Sequence, residues 1–466
     1  MRIILILVIC IFSVIKGFTQ VKSDYFMQTS YLRNSLNPAL IPDQGYLIVP
    51  VLPNIYANAQ TNTINLDHLS FRGTEGRRVT FMHQSINTDD FLSGLSNNNY
   101  VNVDANIKLF ALGMYRGDSF WNFDFGIRTH VDLNIPKPFF GLLKEGFDQN
   151  EQTRYDLSDL GATGNSFIEL GVAHSRPFLD RSLTVGVRAK LLGGIGDFDL
   201  DAKSLTIDAG PDYWTARSKV SLRASAPGIK QRYDSEGYID GFDFGSKFTV
   251  PGIGFGLDIG AVYDFKNINP SMKGLKVSAA LNDLGFIAWT KNNTVNLHSS
   301  ETDVTVTPHD YNIFRDDDAS LSDVFEKAFD DIKKAVNLEG EKEKGRVSKL
   351  RMNMNLGVEY EIWERKFSVG ALYSIRFGNY KNISEYTMSL NYRPCSWLAA
   401  TTSYSFSHSN LDTFGMALHL APSKGVNFFF ASDYIIPHVS SQFIPTTSRA
   451  LNLQVGMSIP LGKKRY

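Results

Sequence analysis

From Leu350 to Glu361 apolar and polar positions alternate. Leu350, Met352, Met354, Leu356, Val358 and Tyr360 form one set; Arg351, Asn353, Asn355, Glu359 and Glu361 form the other, with Gly357 among them. A period of two sends the sets to opposite faces of a β-strand. A helix would scatter both around its circumference. The same alternation returns in Val101–Leu109, Trp121–Leu133, Leu183–Leu191, Ile253–Phe265, Phe367–Phe377, Tyr386–Tyr392, Phe414–Leu420, Val426–Tyr434 and Leu451–Leu461. One greasy face and one wet face, in strands of about 10 residues, mark a transmembrane β-barrel. A large soluble β-sandwich alternates too. The aromatic content (Phe 33, Tyr 20) and the lack of disulfide potential in a chain with an export signal favour the barrel. The expected fold is all-β: a transmembrane antiparallel barrel of about 14 strands, within roughly 12 to 16.

The chain's start supplies the export signal. Met1-Arg2 precedes an apolar run from Ile3 to Ile15, shorter than the roughly 20 residues a spanning helix needs. It reads as a signal peptide over residues 1–19, with Gly17-Phe18-Thr19 at the cleavage spacing. Cys10 falls within it, which leaves Cys395 alone and no internal disulfide. No later run is apolar enough for a transmembrane helix, and only helices and closed barrels satisfy the backbone in lipid. Mean hydropathy of −0.16 in an exported chain then points to the cell outer membrane, with its lipid as the first partner. A net charge of −1 argues against nucleic acid as a partner.

Connections alternate between tight turns (Arg116-Gly117-Asp118, Trp363-Glu364-Arg365, Pro422-Ser423-Lys424-Gly425) and long segments (Ile135–Asn165, Gly193–Thr249, Leu284–Lys349). Barrels of this class keep the tight turns periplasmic and the long loops outside. One loop carries a helical signal over 320–338: Leu321, Val324, Phe325, Ala328, Phe329, Ile332, Ala335 and Val336 recur at helix spacing, after a capping-box-like Ser320 and Asp323. Its apolar stripe suits packing on the barrel rim, a lid, or a docking helix for a protein partner.

The polar faces carry both signs of charge: Asp104, Lys108, Asp124, Arg128, Asp132, Arg188, Lys190, Asp258, Arg351, Glu359 and Glu361. These are the expected lumen-facing residues. Mixed charge suits salt bridges filling a plugged interior, or a polar conduit; a selective anion pore would show a basic excess. Catalysis is not expected. His174-Ser175 are neighbours on a strand and point to opposite faces, and neither His298-Ser299 nor Ser407-His408-Ser409 shows the third group a nucleophilic site needs. There is no zinc spacing and no phosphate-cradling glycine loop, so no metal or cofactor is expected. Gly252, Gly254, Gly256 and Gly260 alternate along one strand and mark close packing against a plug, or a weakened strand.

Residues 20–53 do not alternate. Asn37-Pro38-Ala39 and Pro42-Asp43-Gln44-Gly45 force turns, so the segment reads as a folded cap or plug ahead of a barrel over 54–466. The Asn37-Pro38-Ala39 element resembles that of the FadL-type outer-membrane transporters of long-chain fatty acids and hydrophobic compounds. The longer string SLNPALIPDQGYLIVP, the helix-bearing loop and the YRPCSW turn are similar to a Bacteroidota outer-membrane family known only as a domain of unknown function, over essentially the whole mature chain. The FadL resemblance implies about 14 strands, a luminal N-terminal plug holding Asn37, Pro38 and Ala39, and a lateral opening to the membrane. It also implies passive uptake of a small hydrophobic ligand. No fatty-acid carboxylate site is matched. A structural or partner-binding barrel, tied to secretion, gliding or surface assembly through its long loops, is the competing expectation.

Overall fold

The computed structural model describes residues 22–463 apart from 66–69, 73–77, 84, 146–152, 211–212, 234, 236–238, 247–248, 269, 300–302, 307–335, 341–343, 408–410, 423–424 and 436–448. The expected signal peptide at 1–19 lies outside the described residues, as does nearly all of the expected helix at 320–338. Leu338, at the latter's end, belongs to a short strand, Leu338–Gly340. Val336, the first described residue of 320–338, is helical; the other α-helices described are Thr88–Ser93, capped by the Asn87 side chain, and Lys137–Glu145.

A closed antiparallel barrel of 14 strands forms the molecule. Strand β1 comes in two pieces, Gly45–Ile48 and Asn54–Thr61. There follow β2 (Asn98–Arg116), β3 (Ser119–Pro136), β4 (Gly161–Phe178), β5 (Leu183–Ala209), β6 (Gly252–Asp264) and β7 (Leu275–Trp289). Strand β8 is also split, Arg346–Lys349 and Asn353–Trp363. Then come β9 (Phe367–Arg376), β10 (Ile383–Cys395), β11 (Leu398–Ser407), β12 (Leu411–Leu420), β13 (Asn427–Ser432) and β14 (Ala450–Leu461). Each strand pairs with its predecessor, and β14 closes on β1 through Leu47↔Ile459 and Ile55↔Val455. Closure leaves no free edge strand.

The side-chain pattern follows from the pleat. In β8, Leu356, Val358 and Tyr360 are 42%, 45% and 43% exposed, while Asn355 and Glu359 are each 4% exposed. The outward face is an apolar band and the inward face is polar. Leu350 departs from this. Its parity matches Leu356, yet it is buried among Phe167, Leu192, Ile287 and Trp289. The chain leaves the strand between Lys349 and Asn353, and the alternation restarts after the break.

The wall is uneven. Strand β5 has 27 residues and β9 has 10. The tall side rises past the long loops and supports an apolar cluster at that end. Phe81, Phe91, Phe139, Phe140, Leu205 and Trp214 belong to it, with Phe81 and Phe91 stacked at 4.5 Å.

Inside the barrel lies the chain from Lys22 to Gln44. Its side chains and carbonyls bond to wall strands on all sides: Ser175 on β4, Ser278 and Asn282 on β7, Asn355 on β8 and Ser403 on β11. Only the lumen offers all of these at once. Gly45–Ile48 already pairs with β2 and β14, so the luminal stretch ends at Gln44, short of the expected Pro53.

Candidate functional site

The luminal segment is built from two 3-10 turns, Lys22–Asp24 and Leu32–Ser35, linked by bends. Tyr25, Phe26, Tyr31, Leu36 and Leu40 are buried against the wall. Asn37-Pro38-Ala39 sits at the tightest approach. Asn37 Oδ1 accepts from the backbone N–H of Ala39 at 2.9 Å, which fixes the turn, while Nδ2 donates to Tyr25 Oη at 3.2 Å and to the Ala279 carbonyl at 3.3 Å. The Pro38 carbonyl accepts from Ser175 Oγ at 2.6 Å. Two wall glycines make room. A Cβ on Gly260 would lie 2.0 Å from Asn37 Oδ1, and one on Gly186 would lie 2.3 Å from the Pro38 carbonyl carbon. Of the alternating glycines in β6, Gly260 therefore has the luminal segment against it. Gly252 and Gly254 instead abut Trp289 and Phe286 of the next strand, and Gly256 abuts Leu350 and Lys190.

Each charged position read from the sequence has a polar partner, Glu361 through Lys276 at 2.5 Å. On one side of the lumen, Arg128 donates two bonds to Asp283 at 2.7 and 2.8 Å and one to Glu169 at 2.9 Å. Arg188 pairs with Asp124 and, at 2.8 Å, with Glu169. Lys190 pairs with Asp258 at 2.7 Å and Asp283 at 2.6 Å. Lys108 reaches Ser35 Oγ at 2.9 Å and stands beside the group. Lys108, Arg128, Arg188 and Lys190 are thus matched by Asp124, Glu169, Asp258 and Asp283, four of each sign. Buried charge is tolerable only when compensated in this way. A second group joins Arg351 to Asp104 and, at 3.0 Å, to Asp132, with Arg376 on Asp104 at 2.7 Å. Glu359 stands apart and accepts from Ser368 Oγ at 2.8 Å.

Glu169, Asp283 and Arg376 are central to these groups and absent from the sequence reading. Glu169 was legible, since it lies between Ile168 and Leu170 in a continuing alternation. Asp283 was not. It occupies a bulge where φ is 62°, and a bulge resets the alternation.

The wall itself is interrupted beside the segment. Between Ile48 and Asn54, strand β1 leaves the ladder, and Val51 is 86% exposed. Pro50 and Pro53 lack the N–H a ladder requires. On β14 the pairing with β1 jumps from Ile459 to Val455. The Asn54 side chain fills in: its Oδ1 accepts from the backbone N–H of Met457 at 2.9 Å and from Tyr31 Oη of the luminal segment at 3.2 Å. The neighbouring strand β2 carries a register shift at the same level, between Lys108 and Phe110. The gap is patched by one wall side chain and one luminal side chain.

A cavity of about 90 Å³ lies between the segment and the long-loop end, with Lys22, Arg128, His130, Arg351, Arg376 and Asp104 among its lining. It is polar, and it is smaller than the roughly 150 Å³ apolar void that holds benzene. The sequence-derived His/Ser neighbours are separated by the pleat: the His174 ring lies tilted against Trp121, centroids 4.4 Å apart, outside, and Ser175 is bonded to Pro38 inside. Ser299 is committed to the backbone of Ser218 and Val220, and 408–410 lie outside the described residues.

These features define a class: a closed 14-stranded barrel whose own N-terminal segment occupies the lumen beside a break in the wall. The chain belongs to a family of unknown function (DUF5723), whose model matches residues 38–433. No curated protein matches it. Similar solved structures include the toluene transporter TbuX of Ralstonia pickettii (10% identity, 97% of this chain and 99% of that one, TM-score 0.42). Others are the Pseudomonas putida toluene transporter TodX (7%, 97% and 99%, 0.37) and a Pseudomonas aeruginosa FadL homologue (10%, 95% and 96%, 0.39). Identity this low transfers no ligand to this chain.

Proposed function

We propose that this protein sits in the outer membrane and passes small hydrophobic molecules inward passively, with residues 22–44 as its plug. The observation that carries the reading is the gap in β1, closed from within by Tyr31 of the luminal segment. A segment that patches a hole in the wall opens that hole when it moves. The charge-filled lumen disfavours an axial apolar path and supports sideways exit through the gap into lipid. The resting state is closed, because the luminal cavity is too small and too polar for such a ligand. That same sealed lumen favours a second reading, a structural or partner-binding barrel whose long loops do the work. Native mass spectrometry of protein extracted in mild detergent separates the two. A bound apolar small molecule supports uptake; a stoichiometric protein and no such molecule supports the second reading.

A further inference from the structure

The luminal segment is fastened differently at its two described ends. At Gln44–Gly45 it continues covalently into the wall. At Lys22–Ser23 it is held by side chains. Lys22 Nζ pairs with Glu385 at 2.5 Å, and the Lys22 and Ser23 N–H groups donate to Asp433 at 2.6 and 3.1 Å. Ser23 Oγ donates to Asp433 at 2.5 Å and lies 2.6 Å from Ser403 Oγ. Between the ends most bonds are neutral, such as those from Ser175, Asn282 and Asn355 to segment carbonyls, and charged groups enter singly, at Gln28–Glu361, Ser35–Lys108 and Asp43–Arg393. Charge-assisted bonds are about twice as strong as neutral ones, and residues 22–23 gather four of them on two adjacent residues. Asp433 and Glu385 are themselves braced: the Asp433 N–H donates to Asn452 at 2.6 Å, and Tyr434 Oη donates to Glu385 at 3.2 Å. Lys22 also lines the polar cavity facing the long loops.

We propose that Lys22 and Ser23, gripped by Glu385 and Asp433, are the latch of the plug, and that the segment swings on its junction with β1 when the latch is released. The uptake role of this latch rests on the reading above; the latch itself is testable without it. In a Cys395→Ser background, Ser35→Cys reports exposure of the segment to a membrane-impermeant maleimide in proteoliposomes. Lys22→Met, Glu385→Gln and Asp433→Asn should each speed labelling by about tenfold or more, the scale of a lost buried charge-assisted bond. Lys22→Met leaves every wall residue intact, so it remains informative if a wall variant fails to assemble, which heat-modifiable gel migration reports. Unchanged labelling in folded Lys22→Met protein overturns the latch. In Ser23→Cys/Ser403→Cys protein, whose positions are close enough for a disulfide, oxidation should abolish uptake of the apolar dye N-phenylnaphthylamine and reduction should restore it. Oxidised protein that still takes up dye overturns the latch and leaves uptake standing. Faster labelling in the variants with no dye uptake in any form supports the latch and overturns uptake.

Discussion

Gly186→Ala is the sharpest perturbation of the luminal segment that leaves its own sequence untouched. The added Cβ would lie 2.3 Å from the Pro38 carbonyl carbon and 2.5 Å from Ala39 N and Pro38 O. That is more than about 1 Å inside ordinary contact, and the obstacles are backbone atoms that cannot rotate away. The segment must retreat, and the Ser175 Oγ bond to Pro38 O at 2.6 Å goes with it. Overpacking costs about 1–3 kcal/mol and a neutral hydrogen bond about 1 kcal/mol. The seated state is therefore destabilised by roughly 2–4 kcal/mol, or roughly 30- to 700-fold in the seating equilibrium. The assay is maleimide labelling of Ser35→Cys in the Cys395→Ser background. Gly193→Ala in the same strand is the control, since its Cβ would meet nothing closer than Val250 Cγ1 at 3.5 Å. Gly186→Ala should label much faster than Gly193→Ala while both stay folded. Equal rates would refute the packing of Asn37-Pro38-Ala39 against β5.

Three further outcomes are expected. Burial pushes the Asp24 carboxyl up to about 7, against the opposing pull of its Ser30 hydrogen bond and the Arg33 charge. The seated segment then binds the extra proton, so seating is firmest below the ordinary carboxylate range and weakens as pH rises towards 7. Labelling, divided at each pH by the rate for the same cysteine in unfolded protein so that thiol ionisation cancels, should climb from pH 5 to pH 8 and flatten in Asp24→Asn; a pH-independent ratio in the wild type would contradict this. Asp283→Ala strips Arg128 and Lys190 of a shared partner and should cost about 3–5 kcal/mol in urea unfolding from vesicles, against a refuting loss under about 1 kcal/mol. Leu356→Arg should cost about 2–4 kcal/mol through its outward position. Asn355→Lys should be no milder, because Asn355 Nδ2 donates to the Leu36 carbonyl at 2.9 Å; a neutral Asn355→Lys would remove that contact from the account.

The wall was legible because the pleat writes itself into the sequence with a period of two. Strands β3 and β6 could be read residue by residue, and β5 from Leu183 to Leu191, with their inward charges; the expected long segment Gly193–Thr249 is instead strand as far as Ala209. The pattern failed where the chain leaves the ladder. Leu350 turns inward at the break in β8, Asp283 sits in a left-handed bulge, and β1 is cut by Pro50 and Pro53. Pairing partners were also beyond reach: Arg128 and Asp283 are joined only because closure brings β3 opposite β7 across the lumen. Asn37-Pro38-Ala39 announced a turn, but nothing local to it says that Gly186 and Gly260 clear the space it fills.

The central claim is that the luminal segment is a plug restricting passage of apolar molecules. The direct measurement is N-phenylnaphthylamine influx into proteoliposomes carrying wild-type protein or a Lys22–Asp43 deletion, which spares β1. Slow, saturable influx in the wild type and markedly faster influx in the deletion are predicted. Influx equal to that of protein-free vesicles in both would contradict the account.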